Sequence, residues 1–335
     1  MRHRLALKRC DGTIKQRATL ADGQLADLGG PRTAGLLERL DAATPWDQLA
    51  QVVRPLYCND TAKGGRPNVP IIVMLKLTLM QRWFGLSDPA MEEAVLDRLS
   101  FRRFLGLGVD DPGIDHATIA LFRKRLHDAG LAGELFDLVN AHLRDKGLIV
   151  GEGTSVDATI IEAPRRRKSR KDDLEHRKQE PEATHTKKRG QIHHGYKAHV
   201  AGDKNAMVTD YRLDTAKVYD INHFEDLTKD EPDGGKVYAD AAYRGTKRRK
   251  KLEDRGVLYG VMHKRVRGQS ELTAEQKAHN RLCAGVRGLC EMPFAWLLKA
   301  GRKRTRYRGL RKLGTDFGLW ATGYNLWRSL SIMLA

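Results

Sequence analysis

Cysteine is scarce in this chain of 335 residues, and its spacing carries no motif: Cys10, Cys58, Cys283 and Cys290 form no CxxC pair. That excludes a disulfide framework and a zinc ribbon, and it fits reduced thiols in a cytoplasmic protein. Long hydrophobic runs are also missing. The longest, Val69 to Met80, is interrupted by Lys76 and is too short to cross a bilayer, and the basic residues of Met1 to Thr13 are not followed by an apolar signal-type stretch. Neither export nor a membrane span is expected. No GxxxxGK[ST] phosphate loop occurs, so a nucleotide cofactor is not indicated. Acidic charge is in deficit. Lysine and arginine number 60 against 42 acids, a net charge of +18 with a pI near 9.8. A small-molecule enzyme does not need that imbalance, and the clustering of the cations favours a polyanionic partner over a merely solvated basic surface.

The length allows two domains of ordinary size. Residues 1–34 are basic and then glycine-rich without a sustained period, and read as a flexible arm. Residues 35–147 carry helical periodicity, with segments at Gly35–Leu40, Trp46–Val53, Pro70–Trp83, Asp88–Leu96, Ser100–Leu105, His116–Ala129 and Leu131–Lys146, separated by glycine and proline. Asp115 is placed to cap the helix that carries Arg123, Lys124 and Arg125. That helix either enters a DNA groove or packs Ile119, Phe122 and Leu126 inward with its cations solvated. After Gly147 the pattern changes to short strands, at Glu152–Ile161, Tyr196–Ala201, Ala206–Leu213, Lys236–Ala239 and Val257–Met262. Residues 165–190 are too polar to supply a core and read as a mobile basic loop. Residues 148–335 are thus expected to form an α/β layer domain, in an order that resembles the ribonuclease-H-like fold with a mixed central sheet.

Two acids stand out because of where they fall. In VDATIIEAP, Val156 to Pro164, the alternating β-branched residues indicate a strand with Asp157 in its middle. A carboxylate on an apolar strand is costly to bury unless a cation or hydrogen-bond donors compensate it, so Asp157 is either paired or a metal ligand. In KVYADAAYRG, Lys236 to Gly245, a short strand delivers Asp240 to its C-terminal end, where ligand sites of α/β sheets lie. A third acid has several candidates: Glu253, Asp254, Glu271, Glu275 and Glu291. Glu291 differs from the others in lying among Val286, Leu289, Cys290, Phe294, Trp296, Leu297 and Leu298, with Arg287 one turn before it. A structural Arg287–Glu291 ion pair is the alternative reading.

Taken in order, a set of short motifs resembles the insertion-sequence DDE transposases of bacteria, in the insertion-sequence-four/five grouping and most closely the insertion-sequence-five family. The resemblance runs from about Leu40 to the C-terminus. It rests on LDAATPW, GRP at Gly65, MLKLTLMQRWFGLSD, RLSFRRFLGL, DHATIALFRKRL, VDATIIEAP, HGYKAHV, YADAAYRG, the Arg287/Glu291 spacing, RYRGL from Arg306 and Asn325-Leu326. It implies a helical DNA-binding domain at 35–147 and a catalytic domain at 148–335. Asp157, Asp240 and Glu291 are then the three acids that hold two Mg²⁺ or Mn²⁺ ions roughly 4 Å apart. The implied reaction is cleavage at the element ends followed by attack of the freed 3′-hydroxyls on target DNA. The implied partners are terminal inverted repeats, target DNA and a second copy in the synaptic complex, in a nucleoid-associated cytoplasmic setting. The chain departs from the family where Ala284 replaces a tyrosine, and where Leu298 replaces a lysine whose nearest substitute is Lys299. One extra residue rotates Lys299 about 100° from the face of Glu291.

Residues around the acids give further candidates. Arg287 would contact a phosphate or orient Glu291. Lys197 and His199 lie on the strand expected beside Asp157, and Tyr243 and Arg244 follow Asp240. Three basic runs, Arg165–Lys171, Arg244–Lys251 and Arg302–Lys312 with Arg306 and Arg308, supply a phosphate footprint that should weaken steeply with salt. Two rival readings share these features: a catalytically silent DNA-binding protein derived from a transposase, and a ribonuclease-H-like endonuclease without strand transfer. Binding alone would not need three converging carboxylates, and cutting alone would not need the helical domain.

Overall fold

Helices form where apolar residues recur at helical spacing, and several stop where a glycine reverses the backbone. In the computed structural model, which describes residues 32–57, 68–108, 110–164, 180, 182–188, 190–299, 301 and 303–333, seven α-helices precede the first described strand. They are α1 (Arg32–Ala43), α2 (Trp46–Val53), α3 (Ile71–Phe84), α4 (Asp88–Asp97), α5 (Leu99–Leu105), α6 (His116–Ala129) and α7 (Ala132–Asp145). α3, α5 and α6 end on Gly85, Gly106 and Gly130, each in the left-handed region that spares glycine the Cβ clash. α3 is apolar on nearly every side and is correspondingly buried. Its one lysine stays compensated, since Lys76 pairs with Asp41 at 2.7 Å and donates to the Phe104 carbonyl at 2.9 Å.

α6 packs one face inward. Asp115 caps it by accepting the Thr118 N–H at 2.8 Å, and Ile119, Phe122 and Leu126 are buried. Its cations are largely engaged within the helical unit. Arg123 grips both oxygens of Asp88 at 2.5 and 2.6 Å, Lys124 pairs with Asp128, and Arg125 lies over the Tyr57 ring. Burial works against the Asp88 carboxylate, but the bonds from Arg123 and Gln81 outweigh it and hold its pKa below the usual value. The geometry is that of a packing helix.

The sheet is built from β1 (Ser155–Glu162), β2 (Thr184–Lys188), β3 (Gln191–Gly202), β4 (Val208–Thr215), β5 (Lys236–Ala239) and β6 (Leu258–Val261). Short α8 (Phe224–Leu227) and α9 (Thr246–Glu253) connect its later strands, and α10 (Ala274–Arg287), α11 (Glu291–Lys299) and α12 (Leu310–Met333) follow. The order is β2-β3-β1-β5-β6, with β4 also on β3. β3 is antiparallel to β1, while β1, β5 and β6 run parallel, so the curled sheet is mixed. Gly195 pairs with Glu162 on one side and Thr184 on the other, which places β2 and β4 end to end along the edge of β3 remote from β1. A Cβ at Gly195 would collide with the Ile161 carbonyl, so only glycine allows β1 this close. One face of the sheet, with Val156, Ala201, Val237, Ala239 and Val261, is closed by Phe224, Leu227, Tyr243 and Leu252. A helical region followed by this α/β unit is the ribonuclease-H-like class expected.

The chain divides into two compact units: Leu143–Gly314, and the residues before Leu143 together with those from Thr315 onward. The limits drawn from sequence differ from this division. The border lies at 142 rather than 147, and the larger part of α12 groups with the helical unit. The cause is burial of Phe317, Trp320 and Leu326, with Asn325 donating to Asn140 at 2.7 Å and the Trp83 indole donating to the Gly323 carbonyl at 2.9 Å.

Two further expectations need correction. α1 begins at Arg32, inside the supposed arm, whose residues 1–31 lie outside the described residues. Thr184–Lys188, inside the supposed loop, is β2, whereas residues 165–179, 181 and 189, including the basic run Arg165–Lys171, lie outside the described residues. An edge strand needs ladder bonds on one side only and no apolar face, so composition cannot reveal it. Among the described residues, no helix is long and apolar enough to cross a membrane.

Candidate active site

β1 and β5 share a short parallel ladder, Ser155 with Tyr238 and Val156 with Ala239. One step further along each chain come Asp157 and Asp240, which therefore stand about one strand spacing apart, ~5 Å between backbones. Glu231 fixes the base of this ladder. Its carboxylate is buried and accepts three backbone N–H groups: Gly153 at 2.8 Å and Lys236 at 2.9 Å on Oε1, and Thr154 at 2.8 Å on Oε2. One side chain thus holds the starts of both strands that carry the acids.

Each acid is oriented by a local backbone bond. Ala158 N–H donates to Asp157 Oδ1 and Ala242 N–H to Asp240 Oδ1, both at 2.8 Å. Asp157 is mostly buried, and burial raises its pKa; the Ala158 bond and the Arg287 charge oppose that shift, and the charge of Asp240 adds to it. A break in the helical run between α10 and α11, the 3₁₀ turn Gly288–Cys290, sits against β1, where Cys290 Sγ donates to the Ser155 carbonyl at 2.8 Å. This contact brings Arg287 to Asp157, with Nη1 3.7 Å from Oδ2, while its Nη2 lies 3.1 Å from Glu291 Oε1. Glu291 is 62 % exposed and faces outward, unlike the half-buried setting its apolar sequence neighbours suggest.

The donor chemistry suits a hard divalent cation. Two carboxylates lie side by side, one of them buried enough to resist ionising, and a cation relieves both their repulsion and the burial cost. Among the described residues, however, no three His, Cys, Asp or Glu side chains form a ready-made metal cluster, and Glu291 is engaged with Arg287.

Two family models match this chain. One, described as Transposase domain (DUF772), covers residues 30–125, and the other, Transposase DDE domain, covers residues 150–326, more than half of the sequence. The chain belongs to the DDE transposase family. No solved structure matches it. Membership agrees with the transposase resemblance and makes DNA the polymer such a protein acts on, with divalent metal ions the general cofactor of these domains.

In this transposase the remaining candidates separate. Cross-strand partners share a face, and Asp157 pairs with Val200, whereas His199 pairs with Ala158 and Lys197 with Ile160. Lys197 and His199 therefore lie on the opposite face from Asp157. Lys197 is occupied by Asp220 at 2.8 Å and the Val218 carbonyl at 2.7 Å. His199 is fully buried 4.6 Å from the His223 ring, and burial, with the His223 charge, pulls its pKa down to about 4. Tyr243 does not reach outward either. It is buried in the sheet core 5.5 Å from Phe224, and burial followed by the charges of Asp220, Asp157 and Asp240 pushes its pKa up.

Arg244 donates to the Lys264 carbonyl at 2.9 Å. Lys299 and Arg306 are exposed, and Arg308 lies 3.8 Å from the buried Glu180. Leu298 is half exposed. Sequence reasoning missed Glu231 and Lys188, whose charge acts on Asp157. The acid of Glu231 sits in the turn-rich DEPDGG stretch, and nothing local marks it as buried. Lys188 could be found only by pairing β2 with β3.

Proposed function

We propose that this transposase cuts DNA at the ends of an insertion sequence and joins the freed 3′-hydroxyls to target DNA, as a member of the insertion-sequence-five family. The observation that carries this reading is the meeting of Asp157, within β1, and Asp240, at the end of the parallel β5, with Arg287 linking Asp157 to Glu291. Asp157, Asp240 and Glu291 would hold the metal, taken as two Mg²⁺ or Mn²⁺ ions. When bound, the ions offset charge on the attacking and leaving oxygens of an in-line displacement.

The protein's own groups set the geometry. Glu231 and the β1–β5 ladder fix the spacing of the two aspartates, and the backbone N–H groups of Ala158 and Ala242 aim them. Arg287 holds a phosphate beside the scissile bond when it leaves the carboxylates, and Arg244, Lys299, Arg306 and Arg308 carry the flanking backbone. The helical region is the DNA-binding part and Leu143–Gly314 the catalytic part. The working state is a homodimer on two inverted repeats, in the cytoplasm at the nucleoid.

Purified protein incubated with duplex carrying the inverted repeat that flanks its coding sequence, plus Mg²⁺ or Mn²⁺, tests the reading. Joined products are expected. Cut but unjoined ends would make it an endonuclease, and a shifted but unreacted band would make it a DNA-binding protein only.

A further inference from the structure

β5 and β6 run parallel, so both leave the sheet at the edge where Asp240 stands. Their ladder continues past the paired Ala239 and Val261, because the Met262 N–H donates to the Ala239 carbonyl at 3.0 Å. Met262 therefore comes beside Asp240, about one strand spacing away, ~4.8 Å between backbones. Lys264 follows two residues later, at most roughly 7 Å further along the chain. The loop from β6 to α10 thus begins next to the acid.

The loop is held in shape by its own bonds. Asn280 of α10 accepts the His263 N–H at 2.7 Å and donates to the His263 carbonyl at 2.9 Å, so one amide satisfies both backbone groups at the root. Arg244, just after the turn that follows Asp240, donates to the Lys264 carbonyl at 2.9 Å. At the far end, the Gln269 N–H donates to the Val266 carbonyl at 3.0 Å and Arg265 to the Ser270 carbonyl at 3.2 Å. Between these ties Lys264, Arg265, Val266 and Arg267 are exposed, and the side chains of Lys264 and Arg267 have no partner among the described residues.

Charge of one sign surrounds them. No acid occurs from Ala241 to Leu252, after β5, or from Arg255 to Ser270, which contains β6 and the start of its exit loop. The cations of α9 divide into two sets. Arg248 is spent on the Tyr243 and Arg244 carbonyls, Arg249 pairs with Glu253 and Lys251 with Glu225. Lys247 and Lys250 are exposed, with no acid partner among the described residues. A merely solvated loop has no need of a root tied on both backbone groups, whereas fixing a loop in advance lowers the entropy lost when a ligand binds.

We propose that the β6–α10 loop is a phosphate clamp, in which Lys264 and Arg267 grip the backbone of the element-end duplex beside the phosphate brought to Asp240. The proposal deepens the transposase reading and rests on it for the choice of DNA. Charge complementarity selects the occupant: unpaired cations on a fixed loop, at the edge of a site for phosphodiester chemistry, match the anionic backbone. The contacts are to phosphates, so they set the position of the duplex and carry no sequence information. A second copy of this chain is disfavoured as the occupant because the cations of the loop and of α9 would meet their own kind.

The test measures equilibrium binding of the full chain to an inverted-repeat duplex by fluorescence anisotropy, without divalent metal so that no strand is cut. Lys264→Ala and Arg267→Ala should each weaken binding and lower the slope of log affinity against log salt by about one, and the double variant should lower it by about two. Lys264→Arg should keep the wild-type slope. All of these variants should melt as wild type does, since neither side chain has a partner among the described residues. Methylphosphonates, which remove one backbone charge at a time, locate the contact. Placed at the phosphates adjoining the cleaved bond, they should weaken wild type and add nothing to the loss in the variant that lacks the matching cation. An unchanged salt slope in the double variant, or methylphosphonate losses that add fully to the variant losses at every position, overturns the clamp and leaves the transposase reading standing. Failure of wild type to bind the duplex counts instead against the transposase reading.

Discussion

Arg287 faces Asp157 across 3.7 Å, Nη1 to Oδ2. Burial raises the pKa of Asp157, and the guanidinium opposes that shift by favouring the ionised form. Arg287→Ala should move the Asp157 titration to higher pH, read by carboxyl ¹³C NMR, and should move the acidic limb of the pH–rate profile the same way. An unmoved titration would mean that Arg287 acts on DNA alone. The exposed Arg287–Glu291 pair should matter little to stability.

Burial of Asp157 also sets a pH dependence of stability. Its folded-state pKa is raised above the ordinary 3.8, so between those values the folded chain binds more protons than the unfolded one. The stability from this group is therefore present at low pH and is lost as pH rises through that window. Asp157→Asn carries no charge and escapes the loss. By calorimetry it should melt above wild type at neutral pH, with the gap closing below pH 3.8. Mn²⁺ should raise the melting temperature of wild type and not of the variant. A variant less stable than wild type at neutral pH would contradict the burial argument.

Glu231 should matter out of proportion to its distance from the chemistry. Glu231→Gln turns one acceptor into a donor facing the backbone N–H groups of the strand starts, and leaving such a group unsatisfied costs about 1–3 kcal/mol. Urea denaturation should register that loss, with faster hydrogen exchange at Thr154 and Lys236. End cleavage should fall more than DNA binding does, because the spacing of Asp157 and Asp240 depends on the ladder. Wild-type stability and exchange in Glu231→Gln would remove its clamping role.

The parts of this molecule legible in the sequence are those with local causes. The helices from Trp46 to Ala129 follow apolar period, caps and glycine stops, and the Asp115 cap sits where its side-chain chemistry requires. Asp157 and Asp240 are readable because a carboxylate on a β-branched run and one at a strand end are both out of place unless used. β2 was invisible because its pairing is made by backbone atoms, whatever its polar side chains. Lys197 and His199 lie on the strand beside Asp157, as expected, but on its other face, because facing depends on register and a shift of one residue exchanges the two faces of a strand. Tyr243 was misplaced because being near in sequence to Asp240 does not fix which way a ring turns. Here it turns into the core.

The account depends most on the three acids acting as one metal-dependent unit. The direct measurement is Mn²⁺-dependent cleavage and joining of inverted-repeat duplex by Asp157→Asn, Asp240→Asn and Glu291→Gln, with DNA binding followed in parallel by gel shift. Each variant should bind DNA as wild type does while its cleavage falls at least about a thousandfold, roughly 4 kcal/mol on the barrier. Near wild-type cleavage in any one of them would take that acid out of the site and contradict the assignment.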